Sequence, residues 1–153
     1  MQKTNLFVVF DGKSFAGWSF EELPLAAARL LACGQIDQAA DAGRSSVLGD
    51  PLRALEYQIA ADEATAFAAS VYAGDPPPTV QAWMDATGMD AQPATDSILT
   101  EAAAWKEAMY LIRSLRLKGK QDVLKALDHV AIEAITDTAI EAIQASVRGI
   151  GNN

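Results

Sequence analysis

The chain has one cysteine, Cys33, and one histidine, His129. A lone cysteine cannot form an intramolecular disulfide, which suits a protein made in a reducing cytoplasm. A lone histidine cannot build a histidine-rich metal site, and no zinc-type ligand spacing is present. The sequence lacks any uninterrupted apolar run of about 18 residues, the length a transmembrane helix needs. The opening "MQKTNLFVVFDG" has too short an apolar run for a signal peptide and ends in a turn. Basic residues are scarce: twelve Lys and Arg against twenty Asp and Glu, a net charge of −8. Residues 1–100 hold 13 acids and 5 bases, and residues 101–153 hold 7 of each. The acidic portion would repel a phosphate backbone. Neither nucleic acid nor a membrane is therefore expected as a partner. Aromatics make up only 7% of the chain, so Trp18, Trp83 and Trp105 each weigh on the packing.

What is abundant is alanine, about thirty of 153 residues. Alanine forms helices well but buries little area. Thin helices in close contact follow, with some apolar surface completed by a partner or by a second copy in a homo-oligomer. The length suits one domain, with a small appendage at most.

The clearest β signal is "NLFVVFDGKSFAGWSF". Leu6 to Phe10 is β-branched and aromatic, and Asp11-Gly12 accepts positive φ at both central turn positions. Ser14 to Phe20 supplies the second strand, with Phe15 and Phe20 in or near it and Gly17 as a candidate bulge. A two-stranded hairpin is marginal alone in water, so it must pack on helices, extend a sheet or pair with another chain.

"EELPLAAARLLACG" predicts a short helix that Gly34 ends. Residues 35–49 read as a weak helix followed by a loop. Asp50 can cap a helix begun by Pro51, with Leu52, Leu55, Ile59, Ala66, Phe67 and Val71 at mostly helical spacing. Pro76 to Pro78 predict an extended connector. Thr79 can cap a helix over Val80–Thr87, which Gly88 stops. Ile98, Ala102, Trp105, Met109 and Ile112 step by 4, 3, 4 and 3, an amphipathic stripe. That helix is expected to end near Gly119. A last helix over about Gln121–Arg148 carries Val123, Leu127, Val130, Ala134, Ile140, Ile143 and Val147 on one broad face. Leu124, Ile132 and Ile135 lie outside it, which implies burial on two sides or a partner contact. The expected fold is α+β, mostly α: an N-terminal β-hairpin followed by a helical body with long antiparallel helices. The expected division is residues 1–49, hairpin plus short helix, and residues 50–153, the helical domain.

No residue set points to catalysis. Cys33 and His129 are far apart in sequence, and both read as packing or helix-surface residues. The chain holds no G-x-S-x-G elbow and no P-loop. "KGK" at 118–120 lacks the glycines of a phosphate loop. Asp62-Glu63 and Glu21-Glu22 are adjacent pairs, and neighbours on a helix diverge by about 100°. No enzyme, cofactor or metal is expected. Arg113, Arg116, Lys118, Lys120 and Lys125 form a basic cluster. It suits a helix C-terminus, where the macrodipole is negative. It also suits docking on an acidic partner or on the acidic portion of this chain.

"PPTVQAWMDATGMDAQPATDSIL" has the outline of a helix-turn-helix reader. Such a reader needs basic or amide side chains on its second helix. Here that segment offers Asp90, Gln92, Asp96, Ser97 and Glu101, with no Lys or Arg before Lys106. It reads as a proline-started packing corner with Trp83, Gly88, Ile98 and Trp105 as structural anchors.

The stretch "VYAGDPPPTVQAWMDATGMDAQPATDSILTEAAAWKEAMYLIRSLRLKGK" resembles a helical segment of small tailed-bacteriophage and prophage proteins. These are of the tail-fibre assembly type, that is fibre chaperones, or minor tail components. The resemblance covers roughly residues 52–125 and is most specific at the proline run, Val80, Trp83, Gly88, Ile98, Ala102 and Trp105. Met89 stands where an aromatic is expected. The resemblance carries over no catalytic residue and does not cover the hairpin. It implies a chaperone that binds a tail-fibre or tail-tip protein in the host cytoplasm during assembly. The alternative is a structural virion component, a tail-tip or fibre-adaptor subunit in the virion tail. The residues expected to meet the partner are Phe7, Val9, Phe15, Trp18 and Phe20 of the hairpin region, and Ile132, Ile135 and Ile143 of the last helix.

Overall fold

A computed structural model describes residues 1–148 of the chain, so the end of the expected 50–153 division lies outside the described residues. The fold is α+β and mostly α, as the residue patterns predict. In chain order it runs β1 (Leu6–Phe10), β2 (Lys13–Trp18), a 3-10 turn (Phe20–Glu22), α1 (Leu25–Leu48), α2 (Pro51–Ala69), α3 (Pro78–Thr87), α4 (Ala91–Lys125) and α5 (His129–Ser146).

β1 and β2 pair antiparallel through the turn at Asp11 (φ 49°) and Gly12 (φ 71°). This is the left-handed pair that twists in step with the strands. The register runs Phe10↔Lys13, Val9↔Ser14, Val8↔Phe15 and Phe7↔Ala16, then jumps to Leu6↔Trp18. Gly17, at φ 76°, is the extra residue of that bulge. Phe20 lies beyond β2, in the 3-10 turn, and not in a strand.

The chain divides into two compact units. Of the described residues, the first joins Met1–Ser46 to residues 109–148, and the second is Val47–Ala108. The boundaries fall inside α1 and α4, so the hairpin and the last helix belong to one unit.

In the first unit, α1 is one continuous helix that passes straight through Gly34. Ala28, Ala32, Ile36, Ala40 and Gly43 recur every three or four residues on its buried side. That burial outweighs the roughly 1 kcal/mol a helical glycine costs. Polar contacts fix the direction of α4 against it. Asp37 meets Arg116 at 2.8 Å and Lys120 at 2.5 Å, the Cys33 thiol meets the Lys120 carbonyl at 3.9 Å, and Arg29 donates to the Ala126 carbonyl at 2.7 Å. Falling numbers on α1 match rising numbers toward the end of α4, so the two run antiparallel. Gly119 does not end α4, which continues to Lys125. A Cβ at Gly119 would stand 2.7 Å from the Ala139 Cβ and 3.3 Å from Ile36 Cδ1. The glycine is there for close approach of three helices.

The break expected at Gly119 falls instead at Ala126–Asp128, and α5 begins at His129 rather than near Gln121. The Asp128 carboxylate caps it, accepting from the Ala131 N–H at 2.8 Å. The core of this unit gathers Leu6, Val8, Phe15, Phe20, Ile36, Ile112, Val123, Ile132 and Ile143.

The second unit is smaller in every sense. Asp50 caps α2 as expected, accepting from the Leu52 N–H at 2.7 Å. The chain reverses after α2 through Val71 (φ 58°) and Tyr72 (φ 57°). Tyr72 stacks edge-on against Phe67, its ring centroid 5.9 Å away, and donates to Asp96 at 2.7 Å. Pro77 is extended, and Pro78 is already the first residue of α3. Thr79 is not the cap. Its N–H and hydroxyl both donate to Glu63 of α2, at 3.0 and 2.6 Å, so a carboxylate from a neighbouring helix serves the α3 N-terminus. Gly88, at φ 74°, closes α3 as expected. The core here is Ala64, Phe67, Val80 and Ala94, with Trp83, Met84, Ile98 and Leu99 against it.

Candidate interaction surfaces

The hairpin sorts its side chains by strand alternation. Leu6, Val8 and Phe15 point into the first unit and are buried. Phe7 and Val9 point the other way, 67% and 51% exposed, opposite Ala16 and Ser14. Trp18 sits at the rim of the inner face, edge-on to Phe15 at 5.2 Å and partly exposed. Among the described residues the sheet has only these two strands, so each keeps one edge unpaired with a further strand.

Of the eight residues expected to meet a partner, Phe7, Val9 and Trp18 are accessible. Phe15, Phe20, Ile132 and Ile143 are core residues of the first unit, and Ile135 is half-buried against that core. The last helix thus buries Ile132, Thr136, Ala139 and Ile143 internally, while Val130 and Ala134 stay exposed. Ile132 and Ile143 pack in the same cluster as the hairpin's inner face. Residues of α1, α4 and the hairpin share that cluster, so the buried side of α5 has several apolar neighbours.

Of the four anchors, Trp83 and Ile98 pack on the second unit's core and Gly88 makes the turn. Trp105 is half-buried on α4. The stripe it belongs to is partly or fully buried along its length.

Further exposed apolar side chains lie outside the eight expected contact residues. Leu124, Leu127 and Val130 are exposed around the α4–α5 corner, Leu127 at 85%. On α2, Leu52, Leu55 and Ile59 are exposed, although their spacing reads as a core stripe. One signal separates them from the core. Ala60, Ala64 and Phe67, the residues turned inward, lie about a third of a turn around the helix from Leu52, Leu55 and Ile59.

Cys33 and His129 both take part in packing contacts. Cys33 is buried, and burial pushes its thiol above the usual range. The His129 Nε2 bonds the Leu23 carbonyl at 2.9 Å, and its ring stands edge-on to Phe20 at 5.5 Å. Arg116 and Lys120 of the basic cluster pair with Asp37, and Lys118 pairs with Asp122 at 2.6 Å. Only Lys125 lies in the last turn of α4. Two of the five cluster cations thus pair with Asp37 of the acidic portion, Lys118 pairs within α4, and Lys125 sits at the helix end where the macrodipole favours a cation. Burial opposes the charge on Asp37, but hydrogen bonds from Lys120 and Arg116 outweigh it and hold the carboxyl below its ordinary range. No group of three or more potential metal ligands occurs among the described residues. No described helix is long and apolar enough to cross a membrane.

The chain matches no protein-family model, no curated protein and no solved structure. Its surfaces therefore carry the functional reading.

Proposed function

We propose that this protein is a non-enzymatic assembly factor, a tail-fibre chaperone of a tailed bacteriophage that binds a fibre or tail-tip protein in the host cytoplasm. The hairpin is the gripping element. The observation that supports this is its two-sidedness: the inner face is anchored by Leu6, Val8 and Phe15, while Phe7 and Val9 stay open beside unpaired strand edges. An anchored hairpin is pre-organised, so a partner strand added to its edge loses little to ordering the receptor. Open edges invite aggregation unless something covers them. Lys13 at the start of β2 and the Gly17 bulge limit self-pairing along that strand. The resemblance of residues 52–125 to tail-fibre assembly proteins supplies the class of partner.

Co-expression tests the reading. A tail-fibre protein encoded beside this chain should become soluble only with it, and Phe7→Ser with Val9→Ser should abolish the rescue while leaving the chain folded. An unchanged yield of soluble fibre in both arms would remove the proposal. Mass spectrometry of purified particles should find the chain missing or scarce. Stoichiometric copies would make it a structural tail subunit instead.

A further inference from the structure

A second surface lies on α2, apart from the hairpin. From Leu52 to Ile59 every described side chain but Ala54 is exposed. Leu52, Leu55 and Ile59, spaced 3 and 4, make an apolar ridge on one side of the helix. Helical geometry puts Glu56 on one flank of the ridge and Asp62 on the other. Both carboxylates are exposed. The unit that carries this ridge is strongly acidic. Val47–Ala108 contains ten carboxylates and only two cations, Arg53 and Lys106, a net of −8 that equals the charge of the whole chain.

We propose that this face docks a basic amphipathic helix of a partner protein. Its apolar residues would lie on Leu52, Leu55 and Ile59, with its lysines or arginines over Glu56 and Asp62. A helical ridge of this spacing is met by the grooves of another helix. Charge selects the occupant: a second copy would bring another −8 unit against the first, whereas a basic helix gains on encounter and on docking. The inference does not rest on the hairpin grip, because no hairpin residue takes part, although the ridge lies within residues 52–125, which carry the resemblance.

The test uses the full chain and a fluorescent synthetic helix of leucine and lysine with its leucines on one side. Two controls accompany it: the same composition scrambled so that the leucines scatter, and a leucine–glutamate analogue. Anisotropy titration should give binding about ten-fold tighter or more for the amphipathic basic helix than for either control. Leu55→Ser with Ile59→Ser should remove that preference, with circular dichroism and melting unchanged. Glu56→Gln with Asp62→Asn should weaken binding by about three-fold at low salt and flatten its salt dependence. Leu127→Ser, on the other unit, should change nothing. Equal binding of the scrambled peptide, or full binding by the Leu55→Ser, Ile59→Ser variant, would overturn the proposal. So would a dimer in sedimentation that the same variant dissolves, since the ridge would then belong to a second copy.

Discussion

The two units use similar materials in opposite ways. The first carries ten cations and ten carboxylates and spends several of them on internal pairs: Lys3 with Glu133, Arg116 and Lys120 with Asp37, Lys118 with Asp122. Its large apolar side chains mostly face inward, in a core that reaches from Leu6 to Ile143. The second carries nearly all its charge with one sign and has a small apolar cluster of Ala64, Phe67, Val80 and Ala94, while Leu52, Leu55 and Ile59 stay outside. The indole N–H of its Trp83 is enclosed with no hydrogen-bond partner among the described residues, which costs about 1–3 kcal/mol. Two of its alanine-rich helices bury little area, so less offsets that cost. The lesson is that the first unit joins a large core to an open hairpin face, while the second sets a small core beside an open ridge on α2.

The sharpest way to break this contrast is to cut the first unit's core. Ile143→Ala should destabilise by about 2–5 kcal/mol, since the isoleucine is fully buried. Phe7→Ser, on the outer hairpin face, should stay within about 0.5 kcal/mol. Chemical denaturation measures both. A comparable loss at Phe7 would mean that the hairpin's outer face is covered.

Two glycines sharpen the comparison within the first unit. Gly119→Ala forces a Cβ against Ala139 and Ile36 and should cost about 1–3 kcal/mol. Gly34 has open space around a built Cβ, so Gly34→Ala should gain about 0.5–1 kcal/mol from helix propensity. Thermal melting of the pair should move in opposite directions.

The smallest expected effect is electrostatic. Asp37 is held below its ordinary value of 3.8, so its contribution to stability is complete above that value. It fades as pH falls through the lower folded-state value. Asp37→Asn should lose about 1 kcal/mol at neutral pH, a modest figure because the site is a third exposed. The difference between variant and parent should shrink as pH drops below about 4.

Much of this fold is legible in the residues, and the rest fails for physical reasons. The Asp11-Gly12 turn, the Gly17 bulge, the Asp50 cap and the Gly88 stop are local, and local chemistry decides them. Gly34 and Gly119 are different. A glycine reads as a helix end, yet here burial of Ile36 and the approach of Ala139 decide, and both depend on distant segments. The candidate surfaces divide the same way. Alternation along β1 announces that Phe7 and Val9 share a face, and that face is outward. The apolar width of α5 announces neighbours but not whose they are. Ile132 and Ile143 turn out to face this chain's own core, and Leu52, Leu55 and Ile59, spaced like core residues, face out.

The central claim is that α5 and the inner side of α1 are closed within the first unit's core, while residues 52–59 of α2 have no cover. Hydrogen–deuterium exchange on the purified chain, read by mass spectrometry, tests it directly. Amides of α5 and of the buried stretch of α1 should be strongly protected, and those of residues 52–59 should exchange orders of magnitude faster. Equal protection of residues 52–59 and α5 would contradict the account.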